Sequence, residues 1–220
     1  MPVVNIFPTP IYTIRAAGEK LDTIQDELMK TYNKLGKKHL PYSPDAHEIS
    51  TDKDGNFFTG DLLKAYNCTN FLKFLDHSVK QYIYGVENNV TAGSNVQWVN
   101  PCEYWITESW FTKTLKGHYA PHHNHGDSDI SGVYYLNTNG EDGRIKILSP
   151  HRYMVGNYIY GMITRGSEQT LKLENGVLGL WPSILDHCTE ENKTDNDRLS
   201  LSFNICFKHE GQQEQVHKYY

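Results

Sequence analysis

The chain has 220 residues, of which 38% are hydrophobic and 21% charged, so it reads as globular and large enough to bury a core without a metal or disulfide. Its formal net charge is −5 and its basic residues are scattered, with Lys37-Lys38 the one adjacent pair, which argues against a nucleic-acid duplex as partner. No run approaches the ~18 apolar residues that a membrane-spanning helix needs.

The opening Met-Pro-Val-Val-Asn-Ile-Phe-Pro lacks the basic start and apolar core of a signal peptide. Cysteines at 68, 102, 188 and 206 form no close pair and read as reduced thiols. Both features point to the cytoplasm, or the host cytoplasm for a phage-encoded chain. Val3–Phe7 and Ile11–Ile14 read as short strands parted by Pro8 and Pro10. Leu21, Ile24, Leu28, Tyr32 and Leu35 recur at helical spacing, and Gly36 is placed to close that helix. Residues 40–60, rich in Pro, Asp, Gly and Ser, read as a long loop. From Asn70 to Val86 a second helix carries Phe71, Phe74, Leu75, Val79, Tyr82, Ile83 and Val86 on one face, a stripe for core packing.

After Gly93 short β-branched and aromatic runs alternate with Asn-Gly and Asp-Gly turns. Strands are expected near 96–99, 104–114, 130–137, 144–148, 158–164, 169–173, 177–182 and 198–207. Eight strands behind a helical preface predict a mainly β fold, a double-stranded β-helix (jelly roll) with N-terminal helices packed on one sheet. No linker or repeat is visible, so residues 1–220 read as one domain, 1–92 being the preface and 93–210 the jelly-roll core.

In the last strand Leu199, Leu201, Phe203, Ile205 and Phe207 alternate with Arg198, Ser200, Ser202, Asn204 and Cys206. Period-two alternation separates an apolar from a polar face. Either the polar face meets water, or the apolar face packs on the helices and Arg198 turns into the barrel, giving an anion-binding interior.

Four histidines lie between 118 and 125, in Gly-His-Tyr-Ala-Pro-His-His-Asn-His-Gly-Asp-Ser-Asp. In an extended segment His123 and His125 point the same way and aim two imidazoles at one place. Neutral imidazole suits iron, zinc, copper and nickel alike. His187, in Ser-Ile-Leu-Asp-His-Cys-Thr, is the distant candidate for a third ligand, eleven residues before the final strand. His118 and His122 read as bystanders, and the isolated histidines as ordinary core or surface groups.

The order His-x-His, Ser-Gly-Val-Tyr-Tyr-Leu, a distant His, then Arg-x-Ser resembles the 2-oxoglutarate/Fe(II) oxygenase superfamily. Four segments, Asn5-Ile-Phe-Pro-Thr-Pro-Ile-Tyr12, His123-Asn-His-Gly-Asp-Ser-Asp-Ile-Ser-Gly-Val-Tyr-Tyr-Leu136, Leu180-Trp-Pro-Ser183 and Arg198-Leu-Ser-Leu-Ser-Phe-Asn204, are similar to a branch frequent in bacteria and tailed phages. The resemblance implies Fe(II) and 2-oxoglutarate as cofactors. His123 would be the first metal ligand and His187 the distal one, and Arg198 would bind the far carboxylate of 2-oxoglutarate with Ser200 and Tyr135. It also implies oxygen activation at iron, decarboxylation of 2-oxoglutarate to succinate, and oxidation of a substrate C–H bond.

The superfamily usually has His-x-Asp or His-x-Glu, whereas position 125 is histidine. His125 as a true ligand is the preferred reading. A register shift to His125-Gly126-Asp127, or two histidines and water, stand beside it. The leading function is a 2-oxoglutarate-dependent oxygenase, a hydroxylase by expectation, acting with molecular oxygen on a small molecule or protein side chain that no motif identifies. Two rivals are a cupin-type dioxygenase without 2-oxoglutarate and a non-enzymatic jelly-roll binding or virion module with a structural metal. Residues 40–60 and 149–168, with Tyr153, Tyr158 and Tyr160, are candidates to cover the site.

Overall fold

A computed structural model of the chain describes residues 9–39, 48–56, 60–89, 103–150 and 168–208. The strands expected at 3–7, 96–99 and 158–164, most of the loop 40–60 and the tyrosines of 149–168 lie outside the described residues.

The first long segment forms helix α1 (Glu19–Lys34), with Glu19 and Asp22 in its first turn and Lys34 in its last, the order that suits the helix dipole. Its apolar positions Ile24, Leu28 and Tyr32 are buried. Gly36 does not close this helix. The chain leaves it at Leu35, in extended conformation with φ −80° and ψ 150°, and Gly36 opens strand β2 (Gly36–His39), which pairs with β3 (Glu48–Thr51). Glycine is required there by close approach, because a Cβ would lie 2.5 Å from the Asp52 carbonyl oxygen and from Thr51 Oγ1.

Helix α2 (Leu62–Ala65) is capped by Asp61, whose side chain accepts from the Lys64 N–H. Helix α3 (Thr69–Asn89) buries Phe71, Phe74, Leu75, Val79 and Tyr82. Its first turn is satisfied from outside the helix: the Glu27 carboxylate of α1 accepts from the backbone N–H groups of Asn70 and Phe71 at 3.0 and 2.8 Å.

The remaining strands are β1 (Tyr12–Arg15), β4 (Tyr104–Thr114), β5 (Ile130–Asn137), β6 (Ile145–Leu148), β7 (Glu168–Thr170), β8 (Val177–Pro182), β9 (His187–Thr189) and β10 (Arg198–Phe207). They form two antiparallel sheets, β1-β8-β5-β10-β4-β3-β2 and β7-β6-β9. The strand expected at 169–173 is β7, shorter and earlier, with Leu171 and Leu173 continuing into the core. The fold is mainly β, a jelly roll with helices on one sheet.

Two separate cores fix which face of each strand looks inward. Leu199, Leu201, Phe203 and Ile205 of β10 join Tyr134, Leu136 and the buried faces of α1 and α3 in the larger core. There Phe71 meets Tyr134 at 5.2 Å and Phe203 at 6.1 Å between ring centroids. Val133, Tyr135, Val177 and Trp181 of the large sheet meet Ile145 and Ile147 of the small one in the second core. The apolar face of β10 is therefore turned to the helices, and Arg198, Ser200, Ser202 and Asn204 look between the sheets. Among the described residues Cys68, Cys188 and Cys206 are free thiols, and no helix is long and apolar enough to cross a membrane.

Candidate active site

The inward row of β10 sets the site's polar floor. Its neighbours on β4 are Thr114, Thr112 and Trp110, opposite Arg198, Ser200 and Ser202 in turn. On β5, Tyr135 lies opposite Ser200, Val133 opposite Ser202 and Ser131 opposite Asn204. Between the sheets is a cavity of about 230 Å³, far more than the ~10–15 Å³ that one water requires. Its wall includes His123, His125, His187, Tyr135, Arg198 and Ser200, and among the described residues that line it none is acidic.

The three histidines converge although they come from two segments. His123 and His187 face each other in an isolated antiparallel bridge, closed by His123 N–H to His187 C=O at 3.0 Å and the reverse bond at 2.8 Å. His125 is pinned two residues on, its N–H donating to the Ser183 carbonyl at 2.9 Å. One ring nitrogen from each histidine lies within 4.8 Å of the others, with His187 buried and His123 the most open. Asp127 is exposed, in the turn after His125, and is not in this group; neither are His118 and His122.

The tautomers follow from the backbone. His123 Nδ1 is 2.8 Å from the Pro121 carbonyl and His187 Nδ1 is 3.0 Å from the Leu185 carbonyl. A carbonyl only accepts, so each Nδ1 carries the hydrogen and each Nε2 keeps its lone pair, the arrangement that metal-ligating histidines adopt. Burial pushes His187 down to about 3, against its hydrogen bond to Leu185, with His123 and His125 adding to the drop. His125 is held at about 4, first by burial and then by the neighbouring His123. Neutral imidazoles with inward lone pairs fit a borderline metal such as iron(II).

Arg198 is 3% exposed. Its Nη1 donates to the Asp142 carbonyl at 3.1 Å and to the Gly143 carbonyl, and its Nη2 donates to Thr114 Oγ1 at 3.2 Å. Its Nε has no partner among the described residues. The buried Asp142 carboxylate is engaged elsewhere, accepting from Thr138 Oγ1, the Asn139 N–H and Asn196 Nδ2 at 2.5, 3.0 and 2.6 Å. Arg198 thus forms no ion pair among the described residues, and burial lowers its pKa, opposed by Tyr135 and Asp142. A buried guanidinium without a carboxylate suits an anionic ligand. Tyr135 is buried beside it, its phenol pushed up to about 12 by desolvation, with Arg198 pulling the other way.

Sequence reasoning missed two contributors. Trp181 packs against His187 at 5.1 Å between centroids, and Trp110 against His125 at 5.8 Å. The signal for Trp110 was the alternation of β4, and for Trp181 its place in the Leu180-Trp-Pro-Ser183 segment, which carried no assigned role. Ser131 is also hydrogen-bonded to Ser183 and Asn204, fixing the far end of the row.

A jelly roll that sets a cluster of imidazoles and a buried arginine, without an ion pair among the described residues, between its sheets has the side chains to hold a metal ion and an anionic ligand together. Residues 108–204 match the family described as "Putative 2OG-Fe(II) oxygenase". That match spans less than half of the chain, and over it the chain is similar to a domain whose family name specifies iron(II) and 2-oxoglutarate. No curated protein matches the chain. Among solved structures it resembles the non-heme alpha-ketoglutarate-dependent carbocyclase SnoK from nogalamycin biosynthesis, at 8% identity and TM-score 0.58, over 90% of this chain and 79% of that one. A Pseudomonas putida prolyl-4-hydroxylase matches at 14% identity and TM-score 0.51, over 91% and 94%. HygX from Streptomyces hygroscopicus, solved with nickel, 2-oxoglutarate and hygromycin B, matches at 14% and 0.51, over 90% and 83%. At these identities the likeness shows the fold.

Proposed function

We propose that the protein is a hydroxylase in which His123, His125 and His187 hold iron(II), and in which Arg198, helped by Ser200 and Tyr135, holds the far carboxylate of 2-oxoglutarate. The observation that carries this reading is the convergence of three ring nitrogens within 4.8 Å in a cavity that Arg198 also lines. Bound iron and 2-oxoglutarate would supply oxygen activation coupled to decarboxylation to succinate. The chain's own part is positioning. The His123–His187 bridge sets two imidazoles, the Pro121 and Leu185 carbonyls fix their tautomers, and the Arg198 fork orients the dicarboxylate. Among the described residues the histidine group contains no carboxylate, one negative charge fewer than the usual two-histidine, one-carboxylate set. We read residues 1–220 as one domain, with the helices bracing the sheet that carries Arg198. A cupin-type dioxygenase would have no use for a buried, unpaired guanidinium, which favours the 2-oxoglutarate reading.

The test is anaerobic addition of 2-oxoglutarate to the iron(II)-loaded protein. A weak visible charge-transfer band that is lost in His187→Ala supports the assignment. A wild type with neither band nor calorimetric heat overturns it.

A further inference from the structure

Trp181 sits at the junction of the cavity and the histidine group. It occupies the end of β8, opposite Ser131, and Ser131 is in turn opposite Asn204 at the far end of the row that Arg198 begins. It is 2% exposed, lines the cavity, and stands against His187 at 67° between ring planes. Its indole Nε1–H has no hydrogen-bond partner among the described residues. An indole nitrogen can only donate, and buried Trp N–H groups normally find an acceptor. Filling core volume needs only the ring; a buried, unmatched donor in a cavity wall calls for an oxygen from a bound molecule.

We propose that Trp181 is a ligand-binding residue whose Nε1–H donates to a carboxylate oxygen of 2-oxoglutarate, at the oxoacid end facing His187. The cavity then holds its anion at both ends, by Arg198 at the head of the β10 row and by Trp181 beside the histidines. This rests on the reading that the cavity binds 2-oxoglutarate. It explains two observations made among the described residues: the cavity-wall donors Arg198 Nε and Trp181 Nε1 have no partner, and no acidic side chain lines the cavity. An acid there would satisfy these donors internally and repel the dicarboxylate.

The experiment uses zinc-loaded, ¹⁵N-labelled protein, which is diamagnetic and cannot turn over. The Trp181 indole signal is assigned by its disappearance in Trp181→Phe, or by elimination with Trp98→Phe, Trp105→Phe and Trp110→Phe should that variant not fold. Saturating 2-oxoglutarate is expected to move the Trp181 indole proton downfield more than the other three. By calorimetry, Trp181→Phe should bind 2-oxoglutarate about tenfold more weakly with unchanged zinc content. A stationary Trp181 signal in wild type that demonstrably binds 2-oxoglutarate overturns the proposal and leaves the indole as core filling. If wild type binds no 2-oxoglutarate while holding zinc, the reading of the cavity fails and this proposal with it. A signal that moves on zinc addition alone, and no further with 2-oxoglutarate, assigns Trp181 to the metal environment and also overturns it.

Discussion

His123 and His187 are joined by a reciprocal pair of backbone hydrogen bonds of 3.0 and 2.8 Å, which bring their ring centroids to 4.2 Å. The bridge couples segments 64 residues apart in sequence and fixes the backbone from which both rings project, while the Pro121 and Leu185 carbonyls orient the rings themselves. Removing either ring should therefore abolish the proposed metal site and leave the bridge intact. His187→Ala and His123→Ala are expected to lose bound iron(II), measured by metal analysis, while their melting temperatures without metal stay within a few degrees of wild type. Unchanged iron in His187→Ala would sink the assignment.

Position 125 separates two of the three readings of the motif, the three-histidine set and the shifted register. His125→Ala should lose most of its iron affinity, whereas Asp127→Ala, exposed and outside the histidine group, should keep it. Iron retained in His125→Ala and lost in Asp127→Ala would restore the shifted His-x-Asp register.

The alternation in β10 and the helical stripes of α1 and α3 were legible because each repeats long enough to fix a period. What alternation could not say is which face of β10 looks inward. That depends on Leu199, Leu201, Phe203 and Ile205 meeting the helices, a long-range outcome. His123 and His187 were visible as residue types, but the bridge joining them was not. Strand β9 is only His187-Cys188-Thr189, too short to carry a period, and exists by pairing with β6 and His123. Strand β2, Gly-Lys-Lys-His, has no strand-like side chains and is held by its partner β3. Trp181 stood in the Leu180-Trp-Pro-Ser183 segment without a role of its own, because a missing hydrogen-bond partner is a property of its surroundings.

Acid should weaken the metal-free fold through two histidines. His187 and His125 are held at about 3 and about 4 in the fold, below the ~6.5 of an unfolded chain. Between those values the unfolded chain binds more protons, so stability is full above about pH 6.5 and falls as pH drops toward 4. The slope is about 1.4 kcal/mol per pH unit for each imidazole protonated only on unfolding. Melting temperatures of apo wild type from pH 7 to 4.5 should fall more steeply than those of His187→Gln. Parallel curves would mean His187 does not carry the effect.

Gly132 faces the helix-side core, where an added Cβ would overlap the Phe203 ring and lie 2.9 Å from Leu180 Cδ2. Gly132→Ala should destabilise the fold by about 1–3 kcal/mol through overpacking, without changing iron stoichiometry. Denaturant unfolding measures it, and Gly132→Ala, Phe203→Leu should recover part of the loss. A single variant as stable as wild type would show that Phe203 moves aside freely.

The fate of 2-oxoglutarate tests Arg198 most directly. Its guanidinium is buried, bonded to the Asp142 and Gly143 carbonyls and to Thr114, and has no acidic partner among the described residues. Arg198→Leu removes the fork and its charge, so 2-oxoglutarate affinity should fall by roughly a hundredfold. Arg198→Lys keeps the charge but not the two-point geometry and should fall in between. Because Arg198 also ties the 142–143 turn to β4, each variant's melting temperature is recorded, and loss of binding counts only where the fold persists. Incubated with iron(II), oxygen and 2-oxoglutarate but no substrate, wild type is expected to release succinate slowly, followed by mass spectrometry. Arg198→Leu should do so only at far higher cosubstrate concentration, and His187→Ala not at all. Equal succinate from all three would trace the reaction to free iron, and none from wild type with any candidate substrate would favour a non-enzymatic role for the cavity.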